Sequence, residues 1–368
     1  MVRHTPRIAI IGAGISGLAC ALELERHGII PAIFEQRARP GEAFNHVGGL
    51  LQLMSRPIRD EVAYLRKELH LPVKPLARWN RIIMHTPRVT RTVTGNLGYF
   101  FLRGQDENST ESQLYSLLKT PVYFNRYADW RALAHHYDYV VVADGTPAVA
   151  RTLGCWQDLV ETWVRGAVVL GDFDPHTLIM WVNTEYSRHT YAYLTPFNAR
   201  RASLLLIVND SNPDEIEEKW RLFWEIEKLD YQVLDSFSVK HTSGYCYPPQ
   251  VGNVLMVGNA GGFMEPFLGF GVMSAFRSGV YAARALVSGK SYLSITSDLR
   301  RKIAHLATIR RLLNNMDNED FDNLVRFITT PGIKQLIYNT NIDVLQYTTV
   351  LLNLFEQVKK KVRPGTQK

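Results

Sequence analysis

The chain has 368 residues, 46% of them apolar and 21% charged, with a formal net charge of +7 and three cysteines. That length buries a large core in one extended or two closely joined domains. Cys20, Cys155 and Cys246 are odd in number, far apart and without a CxxC pair, which excludes a disulfide framework and a zinc site and fits a reducing, cytoplasmic setting. The N-terminus has no charged-then-apolar leader pattern, and no stretch reaches the ~18 uninterrupted apolar residues of a membrane span. An excess of positive charge suits an acidic partner, but the basic residues are scattered rather than gathered in a module, so nucleic acid is excluded.

In chain order, the first element is the apolar run Ile8 to Ile11, followed by Gly12-Ala13-Gly14-Ile15-Ser16-Gly17, a helical repeat through Leu18, Ala21 and Leu22, and a second apolar strand ending in Glu35-Gln36-Arg37. This is a dinucleotide-binding unit: Gly12 allows the tight turn, Gly14 lets backbone approach a pyrophosphate, and Gly17 lets helix pack on strand. The free N–H groups at the helix start face the phosphates. Glu35 accepts ribose hydroxyls and disfavours a 2′-phosphate.

A loop is predicted over 41–49 and a helix from Arg56 to Leu69. Strands are expected near 81–84 and 99–102, then a helix over 109–118 capped by Ser109. Tyr139 to Ala143 reads as a central parallel strand opening at Asp144-Gly145. From Gly166 onward, short β-rich runs at 167–170, 178–182, 191–194 and 203–208 indicate an antiparallel sheet and a second domain. Asn212-Pro213-Asp214-Glu215 starts a helix that lies on that sheet through Ile216, Trp220, Phe223 and Trp224.

Val254 to Val257 is again an apolar strand opening into glycines, continuing through Gly258-Asn259-Ala260-Gly261-Gly262, Pro266, Gly269, Gly271 and Val272 into a helix to Leu286. This stretch resembles the late flavin segment of the two-dinucleotide-fold flavoproteins related to aromatic hydroxylases. In that family a Gly-Asp pair holds the ribityl chain and a Pro-x-x-Gly-x-Gly stretch lies along the isoalloxazine. Asn259 stands where the family usually has aspartate, and its amide still offers an acceptor. Asp144-Gly145 through Arg151 resembles the family's Asp-Gly-x-x-Ser-x-x-Arg signature with Ala148 for the serine, and Arg103 stands where a cofactor-contacting arginine is often found. The helix after Gly271 offers partial positive charge to a reduced flavin pyrimidine.

Within that superfamily the glycine segment, together with Tyr191-Ala192-Tyr193-Leu194-Thr195-Pro196, resembles the geranylgeranyl reductase family, whose Tyr-x-Trp-x-Phe-Pro stretch lines a lipid tunnel. Here Tyr193 replaces the tryptophan and Thr195 the phenylalanine. The resemblance covers residues 7 to 290. It implies an α/β protein: a Rossmann-like FAD-binding domain (1–75, 98–160 and 245–290), an inserted antiparallel β-rich substrate domain (76–97 and 161–244), and a C-terminal helical region (291–368). The implied reaction is hydride delivery from flavin N5 to a carbon–carbon double bond of a small, apolar, isoprenoid-like substrate. Electrons come from NAD(P)H or from an acidic ferredoxin-like carrier. Tyr191, Tyr193 and His46 are the candidate substrate residues; no catalytic residue is assigned and no metal is expected. The alternatives are an aromatic-ring monooxygenase and a degenerate flavin-binding protein. The stripe Val344, Leu345, Tyr347, Leu351, Leu354, Phe355 and Val358, followed by Lys359, Lys360, Lys361 and Arg363, reads first as a packed helix with a solvated tail. Its other reading is a peripheral membrane contact.

Overall fold

The structure, a computed structural model, describes residues 5–41 and 44–347. β1 (Ile8–Ile11), α1 (Ile15–Arg26) and β2 (Ala32–Phe34) form the expected strand–helix–strand unit. Ile8, Ala9 and Ile10 are all buried, as a strand covered on both faces requires, and α1 turns Leu18, Ala19 and Leu22 into the core.

The next stretch corrects two expectations. His46–Leu51 forms a strand, β3, within the predicted loop. Its Gly48-Gly49 pair is a packing feature: a Cβ on Gly49 would lie 3.0 Å from the Trp79 ring. The single helix predicted from Arg56 is instead α2 (Gln52–Ser55) and α3 (Glu61–Lys67). Pro57 disfavours helical backbone at the residue before it, and Asp60 caps α3 by accepting from the Ala63 N–H at 2.8 Å.

β4 (Ala77–Thr86) and β5 (Val89–Arg103) form a long hairpin. α4 (Thr110–Leu117) starts at Ser109, whose hydroxyl accepts from Ser112 N–H, and β6 (Val122–Tyr123), α5 (Trp130–His136), β7 (Tyr139–Val142) and α6 (Ala148–Thr152) follow. The β-rich part holds β8 (Trp156–Leu170), β9 (Thr177–Trp181), α7 (Thr184–Ser187), β10 (Ala192–Pro196) and β11 (Arg201–Asn209). α8 (Pro213–Ile226) is capped by Asn212 and buries Ile216 and Phe223 on the sheet, and β12 (Gln232–Cys246) is its edge. The chain then returns through β13 (Gln250–Val251), β14 (Val254–Met256), a 3-10 turn at Gly258–Gly261 and α9 (Val272–Ser288). α10 (Tyr292–Ile295), α11 (Ser297–Leu313), α12 (Asn318–Ile328) and α13 (Ile333–Tyr338) complete the helices among the described residues. Of the stripe read over 342–358, Val344–Tyr347 is a 3-10 turn and the positions from 348 lie outside the described residues. No helix among the described residues is long and apolar enough to cross a membrane.

One sheet runs β13-β14-β7-β1-β2-β6, parallel except at β13, the Rossmann-like arrangement. The other runs β12-β8-β11-β10-β9-β4-β5-β3, antiparallel except where β4 pairs with β9. β5, β8 and β12 run unbroken through positions 97/98, 160/161 and 244/245, so continuous strands join the two parts. Thr195 Oγ1 donates to the Val47 carbonyl at 2.9 Å, fixing β10 against β3. The C-terminal segment is pinned by buried Arg56, which donates to the Ile337 and Ile342 carbonyls, each at 2.7 Å.

Beside Arg56, Glu61 is 1% exposed and one carboxyl oxygen has no hydrogen-bond partner. Burial pushes its carboxyl from the ordinary 4.5 up to about 7. The folded chain therefore holds a proton that the unfolded chain has released between these values, and stability falls as pH rises through that window. Glu61→Gln removes the penalty: it is expected to stabilise the protein by roughly 1–3 kcal/mol at pH 8 and by little at pH 5, read from urea unfolding at both values.

Candidate functional site

Three chain segments meet at the carboxyl ends of β1, β7 and β14, where open parallel sheets bind ligands. Gly12 has φ +101°, and a Cβ there would lie 2.5 Å from the Ala143 carbonyl oxygen, so the turn and its approach to β7 both need glycine. A Cβ on Gly17 would lie 2.1 Å from the Gly12 oxygen. Gly14 differs: its backbone is extended and a Cβ would meet nothing within 4 Å. The space in front of it is the cradle a pyrophosphate needs. α1 carries no capping side chain and no acid in its first turn, leaving the N–H groups around Ile15 and Ser16 to an anionic ligand.

Glu35 is 6% exposed and closes the other side of the cradle. Its Oε2 accepts from Ala13 N–H and its Oε1 from Arg37 N–H, both at 2.8 Å. A carboxylate has about four acceptor positions, so capacity remains for ribose hydroxyls. Gln36 follows as the chain leaves β2, and the Arg37 guanidinium donates to the Gly41 carbonyl at 3.2 Å.

At the end of β7, Asp144 turns back on its own loop: it accepts from Thr146 N–H at 2.9 Å and from Thr146 Oγ1 at 3.1 Å. Burial pushes its carboxyl up. Gly258 opens the third segment against Ser16, which its Cβ would approach to 2.5 Å. Asn259 Nδ2 donates to the Gly145 carbonyl at 2.9 Å, and its buried Oδ1 has no partner. The amide thus ties the second segment to the third, a bond that an aspartate carboxylate, having no donor, cannot make. The orphaned oxygen is the acceptor that a ribityl hydroxyl requires.

Gly271 precedes α9, a second helix with neither capping side chain nor first-turn acid; Val272 is its first residue. Pro266 to Gly269 lie between this start and the 3-10 turn. Arg103, the last residue of β5, donates through Nε to the buried Glu111 at 2.6 Å.

Among the substrate candidates, Tyr191 is half-buried, and its hydroxyl donates to the Leu268 carbonyl. Burial pushes the phenol well above its ordinary value, so Tyr191 holds the loop and keeps its proton. The Tyr193 ring lies 5.8 Å from it. His46 opens β3 next to Phe44, with ring centroids 5.3 Å apart, and its ring lies 6.4 Å from that of Phe237. The structure brings Tyr191 and Tyr193 together, and Thr195 ties β10 to β3, which His46 opens.

Two residues that sequence reasoning missed complete the cradle. A Cβ at Gly279, inside α9, would lie 2.2 Å from the Ser16 carbonyl oxygen, so α9 crosses α1 at backbone distance. Ser278 Oγ accepts the Gly258 N–H at 2.9 Å. The signal for both was the Ser-Gly pair inside an otherwise bulky helix.

An α/β sheet carrying an open glycine cradle, an acid at the ribose position and a second uncapped helix has the form of a dinucleotide-binding fold. Residues 7–163 match the family model described as FAD dependent oxidoreductase. These residues match that FAD-dependent family, and the chain as a whole has the fold of flavoenzymes. Its fold is similar to that of a geranylgeranyl bacteriochlorophyll reductase-like protein from Thermoplasma acidophilum, at 16% identity over 96% of this chain and 99% of that one, TM-score 0.72. It is also similar to a flavin-dependent brominase, Bmp2, in triple-mutant form (14% identity, 96% and 100%, TM-score 0.62). A third similar structure is a 2-methyl-3-hydroxypyridine-5-carboxylic acid oxygenase (15% identity, 92% and 96%, TM-score 0.60).

The two glycine roles separate in mutants. Gly14→Val, in extended backbone facing open space, is expected to leave the apoprotein unfolding midpoint unchanged while weakening FAD binding by at least about tenfold, or about 1.4 kcal/mol. Gly17→Ala must displace the Gly12 backbone and is expected to lower both stability and FAD affinity, read by thermal unfolding and fluorescence titration.

Proposed function

We propose that the chain reduces carbon–carbon double bonds of an apolar, isoprenoid-like substrate. The observation that carries this reading is the wall facing the loop 266–270. Phe267, Leu268 and Phe270 pack into a cluster with Trp79, Phe100, Met180, Tyr193 and Phe197 from the second sheet. Trp79 and Phe100 are stacked at 5.2 Å, and Phe270 lies 6.4 Å from Trp79. Trp79 and Phe100 back this cluster from the core, and its half-buried edge of Tyr193, Phe197, Phe267, Leu268 and Phe270 suits a hydrocarbon chain, which it takes up by excluding water, better than a compact polar ring. The similarity along the whole chain to a reductase-like protein supports the same reading.

Bound FAD supplies the hydride and accepts electrons. The chain's part is placement. An isolated alkene has no carbonyl to polarise, so the rate depends on holding the bond at reacting distance in a dry site. Glu35, Asn259 and the uncapped start of α1 hold the dinucleotide, the start of α9 offers partial positive charge, and the aromatic wall orients the hydrocarbon. Tyr191 serves by fixing Leu268, which leaves Tyr193 as the hydroxyl nearest the wall for delivering the product proton. Electrons are supplied by NAD(P)H or by an acidic ferredoxin-like carrier attracted by the +7 chain.

The deciding experiment reduces the holoenzyme without oxygen and adds a geranylgeranyl lipid. Expected are reoxidised flavin and a product heavier by two hydrogens per double bond. Oxygen consumption stimulated by an aromatic substrate, with an oxygen atom appearing in the product, would overturn the reading in favour of a monooxygenase.

A further inference from the structure

Glu265 is a charged side chain only 5% exposed, at the start of the loop on which the reductase reading rests. Its carboxylate is folded back over that loop. Oε2 accepts from Phe267 N–H at 2.6 Å, and Oε1 accepts from Leu268 N–H at 3.0 Å and from Phe270 N–H at 2.8 Å. Converging backbone N–H groups of this kind form a nest that binds an anion, and here the chain supplies the anion itself. The carbonyls of the same loop are held from the other side: Tyr191 donates to Leu268, and Arg310, 3% exposed, donates to Phe267 at 3.4 Å.

Behind Glu265 lies a cavity of about 40 Å³ lined by Leu51, Met54, Ser55, Phe270, Arg277 and Lys302, among others. It has room for a few waters and none for a substrate. The ionisable groups facing Glu265 are Lys302 and Arg310 from α11, Arg277 from α9 and Tyr191, the residue before β10. Lys302 is already engaged, donating to the Arg56 carbonyl at 3.0 Å and lying 4.0 Å from Asp343.

We propose that the Glu265 carboxylate is an internal anion that fixes the flavin-facing loop 266–270, and that its protonation releases the loop, making Glu265 a positioning residue that couples proton loss to FAD binding. A protonated carboxyl loses acceptor strength on one oxygen, and the three N–H groups would then be held poorly in a site closed to water. Burial pushes the carboxyl from 4.5 up to about 7, against the opposing pull of those N–H groups and of Lys302, so the change falls in the neutral range. The sign follows: the ionised form holds the loop, so FAD affinity falls as pH drops through about 7.

The test is FAD affinity of the full chain, measured by flavin fluorescence between pH 6 and 8, with no substrate present. The expected result is a loss of about tenfold from pH 8 to pH 6, the limit for one coupled proton with a midpoint near 7. Glu265→Gln should bind FAD about tenfold more weakly at pH 8, with no step across the range, and Glu265→Asp should restore part of the step. Glu265→Ala should regain affinity in added formate, a small carboxylate that refills the nest, and not in equal chloride. A flat wild-type profile overturns the proposal even if a variant fails to fold, and so does a step that survives in Glu265→Gln. Holoenzyme that shows the step but leaves the geranylgeranyl lipid unchanged refutes the reductase reading alone.

Discussion

Everything at this site depends on the close approach of backbone around Ser16. Gly17 lets α1 press on the Gly12 turn, Gly12 lets that turn press on the end of β7, Gly258 brings the third segment onto the Ser16 side chain, and Gly279 lets α9 cross at the Ser16 carbonyl. Each contact is closer than a Cβ permits, so side chains at these positions would drive the segments apart. The approach lays the middle of α9 across the first turn of α1, and neither helix carries a capping side chain or a first-turn acid at its start. Asn259, donating to the Gly145 carbonyl, ties the loop after β7 to the glycine segment that leads into α9.

The polar groups of the cleft divide into those already used and those left over. Glu35, Asp144 and Glu265 are all acids that spend acceptor capacity on backbone N–H groups, which stiffens the three loops. Asn259 Oδ1 stays unsatisfied. Loops that satisfy one another internally cost little further ordering when the ligand arrives, and preorganisation of that kind raises affinity without new contacts. On the far side of the same loop the packing changes character, from N–H groups and carboxylates to the buried Trp79 and Phe100 and the half-buried Phe270.

Much of this was legible in the sequence because the glycine requirements are local. Gly12, Gly14 and Gly17 sit within one turn, between a strand and a helix whose apolar spacing announces them, and the caps at Ser109 and Asn212 lie beside the helices they start. What escaped was set by distant partners. Gly279 looks like a weak point in a helix until α1 is laid across it. The strand at His46–Leu51 hides behind Gly48-Gly49, a pair that reads as a loop and is instead small because Trp79 fills the space. The helix expected from Arg56 failed for a local reason, Pro57, that the apolar periodicity overrode. Tyr191 was named as a substrate candidate from the resemblance of 191–196 to a lipid-tunnel stretch, and the bond its hydroxyl donates to Leu268, 77 positions away, is one that no local pattern announces.

The claim that these segments together hold FAD, rather than a nicotinamide dinucleotide at the first motif alone, is tested most directly by titrating the apoprotein with each in turn. The account predicts that FAD binds once per chain with its fluorescence altered, and that NAD⁺ does not compete at comparable concentration. Binding of NAD⁺ with no uptake of FAD would contradict it.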